Sequence, residues 1–246
     1  MTSWLVPLLT ATIGVLGTLC VALLSQRAQR QRDVQAARNK TQALLDRYQE
    51  PLVRAAYDLQ SRLYNIVEQD FLASGRDGVS GPDYKSLSTA WLFGQYFGWV
   101  EITRREAQFL PIPSRDDAES VQGRIDQVTS LCTSDKRPLG DTFRVFRSEQ
   151  RAMGELMVVP GRGSSGEERS DCLGYGRFVE LMADPATPLS QWFSPIVEHV
   201  RALGTDGRRA PRLWELQRTL IGVVDAIDPR HVRYPKNRQP LPARPA

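Results

Sequence analysis

The sequence is poor in the residues that most often perform catalysis at neutral pH or hold a metal ion. It has two histidines, at 199 and 231, and three cysteines, at 20, 132 and 172. The cysteines have neither metal-ligand spacing nor a disulfide framework, and no Ser-His-Asp or Cys-His arrangement is apparent. We therefore expect no catalytic residue, no metal and no cofactor, and the scarcity of cysteine suits a reducing cytoplasm.

Charged residues are absent from the N-terminal stretch Trp4–Leu24. As a helix rising about 1.5 Å per residue, these residues would cross a hydrocarbon core about 30 Å thick. A cleaved signal peptide would begin with basic residues and end at a small-x-small site, and neither is present. We predict one uncleaved transmembrane helix over residues 4–24, preceded by a short extracytoplasmic N-terminus, residues 1–3.

Basic residues follow this helix and none precedes it. Five bases and one acid occur in residues 27–40, and the bases are Arg27, Arg30, Arg32, Arg38 and Lys40. Such residues prefer the cytoplasmic side of a bilayer. This predicts a single-pass cell-membrane protein with its N-terminus outside, its body in the cytoplasm, and a basic juxtamembrane helix at residues 25–40 near anionic lipid headgroups.

The net charge of +4 is unevenly distributed along the chain. Residues 27–40 carry +4 and residues 229–246 carry +5, so the body between them, residues 41–228, has a net charge of −5. An acidic body without a basic and aromatic stacking pattern argues against nucleic acid as a partner. The C-terminal 229–246 also holds five prolines, which favours a disordered tail, although the tail could also lie back on an anionic membrane.

Apolar residues in the body recur at three- and four-residue steps, and strand-like alternation is scarce. This pattern predicts an all-α bundle of about six helices over residues 41–228. The expected elements are a helix reaching about residue 73 with an interruption near Pro51, helices at 85–110, after Ser114, at 142–158, from Pro195 to 203 and from Pro211, and a short element around 175–182.

The stretch Trp91–Ile102 is the most hydrophobic part of the chain outside the N-terminal helix. Its length of about 12 residues is too short to span a bilayer. We therefore predict the central core helix of the bundle, with a membrane-dipping aromatic face as the alternative. Gly94 and Gly98, one helical turn apart, would allow a neighbouring helix to approach closely.

One glycine-rich stretch, Gly161–Gly166, matches the dinucleotide-binding pattern GxGxxG. That pattern has its meaning only between a parallel strand and a helix, where backbone N–H groups approach a pyrophosphate. No strand–helix alternation surrounds it, so a surface loop is expected.

Two charged clusters, together with Arg62 of the first helix, are the best candidates for a ligand site. Several of these side chains lie four residues apart and therefore share a helix face. Arginine forks match carboxylate and phosphate groups, so a water-lined pocket would suit an anionic ligand, whereas a closed cluster would be structural ion pairs. The candidate residues are Arg62, Glu101, Arg104, Arg105, Arg147 and Glu149.

Three blocks of the sequence resemble a group of uncharacterised bacterial membrane-anchored proteins. They are PLVRAAYDLQSRLYNIV, FGQYFGWVEITRREAQFL and FRVFRSEQRAMGELM, about a fifth of the chain. The resemblance implies a bacterial origin and brings no activity with it. From the residues we expect a membrane-tethered cytoplasmic binding, scaffold or regulatory module with the lipid bilayer and another protein as partners, and the alternative is a sensor or enzyme with the Arg/Glu pocket.

Overall fold

A computed structural model divides the chain into two units, Met1–Leu45 and Asp46–Ala246. It describes residues 25–27, 29–32, 35–36, 48–74, 83–107, 115–136, 139–162, 166, 168–206 and 210–242. The predicted transmembrane helix at 4–24 lies outside these residues. Among the helices that the structure describes, none has both the length and the apolar character needed to cross a membrane.

The first unit is described only where the sequence predicts the basic juxtamembrane helix. Residues 25–27, 29–32 and 35–36 are helical. Arg27, Arg30 and Arg32 are exposed, as expected for a solvated helix, whereas Arg38 and Lys40 lie outside the described residues.

The second unit is mostly helical, as predicted, and it also contains one small sheet. The described residues of this unit form seven helices and two strands. The elements are α1 (48–68), α2 (Tyr84–Ala107), α3 (Arg115–Thr133), α4 (Arg147–Met157), β1 (Val158–Arg162), β2 (Glu168–Cys172), α5 (Tyr175–Met182), α6 (Pro188–Ala202) and α7 (Pro211–Ile227).

Helix α2 is the central helix of this unit, which confirms the prediction from its aromatic stretch. It packs against α4, α5, α6 and both strands, while α3 packs against α7. A helix with apolar residues on every side must be buried on every side. The buried apolar side chains of α2 include Leu92, Phe93, Tyr96, Phe97, Trp99 and Ile102.

Glycines bring α2 and α4 into close contact. A Cβ atom at Gly98 would lie 2.9 Å from Met157 Cβ and 2.5 Å from Cys172 Sγ. A Cβ atom at Gly154 of α4 would lie 2.7 Å from the backbone oxygen of Phe97. The predicted close approach at Gly94 and Gly98 is therefore present, and Gly154 supplies its other half.

Gly154→Ala is expected to lower the free energy of unfolding by about 1–2 kcal/mol. Alanine gains up to about 1 kcal/mol of helix propensity, but overpacking costs about 1–3 kcal/mol, and a backbone oxygen cannot rotate away. Urea denaturation followed by circular dichroism measures the change.

The matched control for this substitution is Gly123→Ala in α3, where a Cβ atom would meet nothing within 4 Å. Only the propensity gain applies there, so Gly123→Ala should stabilise the protein. Equal effects at the two positions would show that the α2–α4 contact is looser than described.

The two strands form an antiparallel hairpin, and this topology excludes a dinucleotide-binding turn at Gly161–Gly166. Val158 pairs with Cys172 and Arg162 pairs with Glu168, so the glycine-rich stretch joins one strand to its antiparallel neighbour. A dinucleotide turn requires a helix after the glycines, and here strand β2 follows. The fold is therefore mainly α-helical, rather than wholly α-helical as predicted for the body.

Three predicted helices have different bounds in the structure. Helix α1 has no interruption at Pro51 and ends at residue 68 instead of about residue 73. Helix α4 begins at Arg147 instead of 142, because Phe143 adopts φ 59° in the preceding turn. Helix α6 begins at Pro188, since Thr187 Oγ1 accepts the Ser190 N–H at 3.1 Å as a helix N-cap, and Pro195 lies inside the helix.

Residues 229–242, here called the C-terminal strap, lie across α1 and α7, whereas composition favours disorder. Leu241 is 0% exposed, and its N–H donates to Gln217 Oε1 at 2.9 Å. The ring of Tyr234 stacks on Tyr57 of α1 with centroids 4.3 Å apart. The Arg238 side chain, 6% exposed, reaches Asp225 and Asp228 at the end of α7.

The physical reason for this difference is that two residues of the strap, Leu241 and Arg238, stabilise its packing, although its average composition favours disorder. Burial of one leucine contributes about 1.5–3 kcal/mol, and the two acids compensate the charge of Arg238. Arg230 and Lys236 of the strap remain exposed, and for these bases contact with a membrane stays a prediction.

Candidate functional site

Three of the six predicted site residues form one cluster at the end of α2. Glu101 is 4% exposed and accepts hydrogen bonds from Arg104 Nε at 2.8 Å and Arg105 Nε at 2.6 Å. Burial raises the pKa of Glu101, but the hydrogen bonds from Arg104 and Arg105 outweigh burial and lower it overall. The cluster is a set of ion pairs within one helix.

Arg62 lies near the opposite end of α2. Its Nη1 donates to Ser88 Oγ at 2.9 Å and to Thr89 Oγ1 at 3.4 Å, and its guanidinium lies 4.1 Å from the Phe71 ring centroid. Burial lowers the pKa of Arg62. Thr89 and Glu101 are about 18 Å apart along the helix, so Arg62 does not join the first cluster.

The remaining two predicted residues, Arg147 and Glu149, lie in the first turn of α4. Arg147 Nη2 donates to Ser130 Oγ of α3 at 3.1 Å. Glu149 Oε2 accepts the Phe146 N–H at 2.7 Å and thereby closes the first turn of α4. The structure therefore places the six residues in three locations and does not bring them together.

The two described thiols and the imidazole of His199 are poorly suited to nucleophilic or acid–base chemistry. Burial raises the pKa of Cys132 and of Cys172 to about 12, so both are protonated at neutral pH. His199 Nδ1 accepts the Phe143 N–H at 3.1 Å, which requires the neutral ring, and burial lowers its pKa. His199 is half-buried.

A groove between α1 and α2, here called the α1–α2 groove, has regularly spaced side chains on both walls. Its volume is about 460 Å³, within the usual range for ligand sites. On each wall residues four apart share one helix face. The lining residues are Glu50, Pro51, Arg54, Ala55 and Asp58 of α1 and Trp91, Leu92, Gln95 and Trp99 of α2.

The α2 wall is held in place from behind. Trp91 Nε1 and Gln95 Nε2 both donate to the Leu173 carbonyl oxygen, at 3.0 and 2.8 Å. The Trp91 ring also packs edge-on against Tyr175, with centroids 5.5 Å apart. A partner entering the groove would therefore meet a Trp91 ring that is already oriented.

The α1 wall carries three charged side chains, and two of them interact with residues of the strap. Glu50 Oε2 pairs with Arg233 Nε at 2.8 Å, and Arg54 hydrogen-bonds the side chain of Tyr234. Asp58 has no ion pair or hydrogen bond with any residue that the structure describes. The groove walls desolvate its carboxylate and raise its pKa, which Arg54 partly offsets.

The arrangement of this groove suits the binding of a cation. Tryptophan is the strongest aromatic partner for ammonium and guanidinium groups, and a cation beside Asp58 would compensate its desolvation. The sequence predicts Trp91 and Trp99 only as residues of the core helix. The four-residue steps Glu50–Arg54–Asp58 and Trp91–Gln95–Trp99 are the signal that could have revealed the groove.

Comparison of the chain with protein-family models, with curated proteins and with solved structures finds no match. The described fold and groove define its class: a mainly α-helical protein with a central aromatic helix, a two-stranded hairpin and a strap that packs across α1 and α7.

Proposed function

We propose that the protein is a membrane-tethered adaptor that binds a basic segment of another protein in the α1–α2 groove. The tether is the predicted helix at 4–24, supported by the bases of residues 27–40, with the body in the cytoplasm. The observation that carries the proposal is that one groove contains Trp91, Trp99 and Asp58, whose carboxylate has no ion pair or hydrogen bond among the described residues.

A protein segment fits this groove better than a small cation does. The charged wall extends about 12 Å along α1, from Glu50 to Asp58. This length exceeds the width of one ammonium group. Tryptophan and arginine are enriched at protein interfaces, especially in the pockets that contribute most to affinity. One basic side chain of the partner would lie between the tryptophan rings and Asp58.

The alternative function is a pocket for an anionic small molecule built from Arg62, Glu101 and the other four predicted residues. It has less support, because those residues lie in three locations and bond to different neighbours. The four cavities described in the body are lined by other residues.

Photo-crosslinking in cells that express the full chain tests the proposal. A photoreactive amino acid replaces Gln95, which lines the groove. The Leu173 carbonyl oxygen loses the Gln95 donor but still accepts from Trp91 Nε1. After a carbonate wash of the membranes, we expect a covalent adduct with a partner whose crosslinked segment contains lysine or arginine. Asp58→Lys should reduce the adduct at least about tenfold, because like charges in an interface cost several kcal/mol.

Two controls make the result specific. Asp126→Lys makes the same charge change on the exposed face of α3 and should leave the adduct unchanged. The same photoreactive amino acid placed at Gln122 of α3 should not crosslink the partner that is crosslinked at position 95. An adduct that persists in Asp58→Lys would refute the groove as the site, and release of the protein by carbonate would refute the tether.

A further inference from the structure

A second cavity lies on the outer face of α1, where the strap crosses the helix. Its volume is about 410 Å³. The helix supplies hydroxyl and amide groups on one side, and the strap supplies two amides on the other. The lining residues are Ser61, Tyr64, Asn65, Gln69, Asn237 and Gln239, and none of them is charged.

The strap wall of this cavity is fixed through its backbone. Buried Gln60 donates from Nε2 to the Asn237 carbonyl oxygen at 2.9 Å. Buried Gln217 donates from Nε2 to the Gln239 carbonyl oxygen at 3.0 Å and to Gln60 Oε1 at 3.0 Å. Because the backbone makes these bonds, the side chains of Asn237 and Gln239 are left for the cavity.

The amides around the cavity are available to a ligand. The side chains of Asn65, Gln69, Asn237 and Gln239 make no hydrogen bond to any residue within the described ranges. Each amide can donate and accept at the same time. A wall with this pairing capacity on a fixed backbone is preorganised for a ligand that also both donates and accepts.

We propose that this cavity binds a neutral, polyhydroxylated ligand, namely a saccharide of one or two sugar units. Every sugar hydroxyl donates and accepts, as the amides do, and the Tyr64 ring offers an apolar face for the C–H groups of a pyranose. An anionic or cationic ligand would lose hydration in a cavity whose lining holds no countercharge. This site is separate from the α1–α2 groove and does not depend on the adaptor function.

Binding of a panel of neutral sugars to the full chain tests the proposal. The panel is glucose, galactose, N-acetylglucosamine, maltose and cellobiose, measured by saturation-transfer NMR and calorimetry. The protein is kept in an amine-oxide detergent, because the headgroup of a maltoside detergent is itself a candidate ligand. We expect at least one sugar to bind with a Kd in the millimolar range or tighter.

Two variants remove amides without disturbing the wall that holds them. Asn237 has φ 57°, which glycine adopts without strain, so Asn237→Gly deletes the side chain and keeps the carbonyl that Gln60 binds. Gln239→Ala likewise keeps the carbonyl that Gln217 binds. Each variant should weaken sugar binding about three- to tenfold, the effect of losing one hydrogen bond.

Gln122→Ala, which removes an exposed amide on α3, is the matched control and should leave binding unchanged. Glucose 6-phosphate should bind more weakly than glucose, because the cavity offers its phosphate no cation. The proposal is overturned if no sugar of the panel binds, if Asn237→Gly and Gln239→Ala bind as the wild type does, or if a capped neutral tripeptide binds in place of the sugars.

Discussion

Replacing Arg212 with methionine will lower the free energy of unfolding by at least about 3 kcal/mol, because it leaves buried carbonyl groups without a donor. Arg212 lies in the first turn of α7 and is 0% exposed. Its guanidinium meets five backbone carbonyl oxygens from the end of α3 and the loop that follows. The carbonyls belong to Leu131, Cys132, Ser134, Gly140 and Thr142.

This arrangement explains why the expected loss is large. Nη2 of Arg212 donates to Ser134 at 2.8 Å and to Gly140 at 2.7 Å, so one side chain joins both ends of a loop. The last carbonyls of a helix have no partner within the helix. Arg212 supplies one for Leu131 of α3, whereas the Cys132 carbonyl oxygen accepts both from Arg212 and from the Val145 N–H. A buried carbonyl that loses its donor costs about 1–3 kcal/mol.

Thermal and urea denaturation of the variant measure the effect. A loss of 3 kcal/mol corresponds to a fall in Tm of about 6–12 °C for a body of this size. Arg212→Lys keeps the charge but lacks the planar five-donor fork, so it should be destabilised by a smaller amount. Arg151→Met, an exposed arginine paired with Glu155, should change stability by less than about 1 kcal/mol, and a similar loss in both methionine variants would contradict the assignment.

Replacing Asp228 with asparagine will release the strap from α7. The Asp228 carboxylate accepts the N–H groups of Val232, Arg233 and Tyr234 at 3.0, 3.1 and 3.2 Å, and it pairs with the buried Arg238. Removing one partner of a buried ion pair costs about 3–5 kcal/mol, because the other charge stays buried and uncompensated. We expect a loss near the lower end, since asparagine still offers one acceptor and Asp225 still pairs with Arg238.

Hydrogen exchange distinguishes release of the strap from global unfolding. In Asp228→Asn, the amides of residues 229–242 should exchange faster than those of α2. Asp225→Asn is the control on the same arginine: its carboxylate accepts from Arg238 at 2.9 Å but is 46% exposed, so its loss should cost less than about 1 kcal/mol. Unchanged exchange of the strap in Asp228→Asn would contradict the role given to this residue.

The same pair gives the strap a defined dependence on pH. Burial raises the pKa of Asp228, but the three backbone N–H groups and Arg238 outweigh burial, so the pKa lies below its ordinary value of 3.8. A carboxyl group with a lowered pKa stabilises the fold fully above the unfolded pKa and loses this effect as pH falls through the folded pKa. Protection of the strap should therefore fall below about pH 4 in the wild type, and Asp228→Asn should lack this step.

The strap matters for both proposed sites. Arg233 and Tyr234 contact Glu50 and Arg54 beside the α1–α2 groove, and Asn237 and Gln239 line the second cavity. Release of the strap in Asp228→Asn is therefore expected to weaken sugar binding as well. The adaptor test relies on Asp58, which makes no hydrogen bond or ion pair with the described residues of the strap, so the two proposals can fail independently.

Local periodicity was sufficient to predict the helices whose partners are mainly apolar. The three- and four-residue steps of Leu52, Ala55 and Leu59 place these side chains on one face of α1, and all three are buried. The all-round apolar character of Trp91–Ile102 predicts a central helix, and α2 is central. Gly94 and Gly98 predict the close contact with a neighbouring helix, although not which helix this is.

The two candidate sites were not predicted, because each is formed by residues far apart in the chain. The groove needs Asp58 beside Trp91, and the second cavity needs Asn65 beside Asn237. Charge spacing within one helix does not show what faces that helix. For the same reason, the predicted cluster of Arg62, Glu101 and Arg147 is divided among three locations.

The sequence by itself determined the helical class of the body, its central helix and its main apolar faces, since these depend on spacing within about twenty residues. The tertiary structure decided the features that depend on single polar residues meeting distant backbone. Thus Arg212 joins α7 to the end of α3, Phe143 adopts a positive φ with its N–H on His199, and Leu241 and Arg238 hold a strap that composition assigns to disorder. Composition averages over a segment, whereas one buried leucine and one compensated arginine are enough to pack that segment against the body.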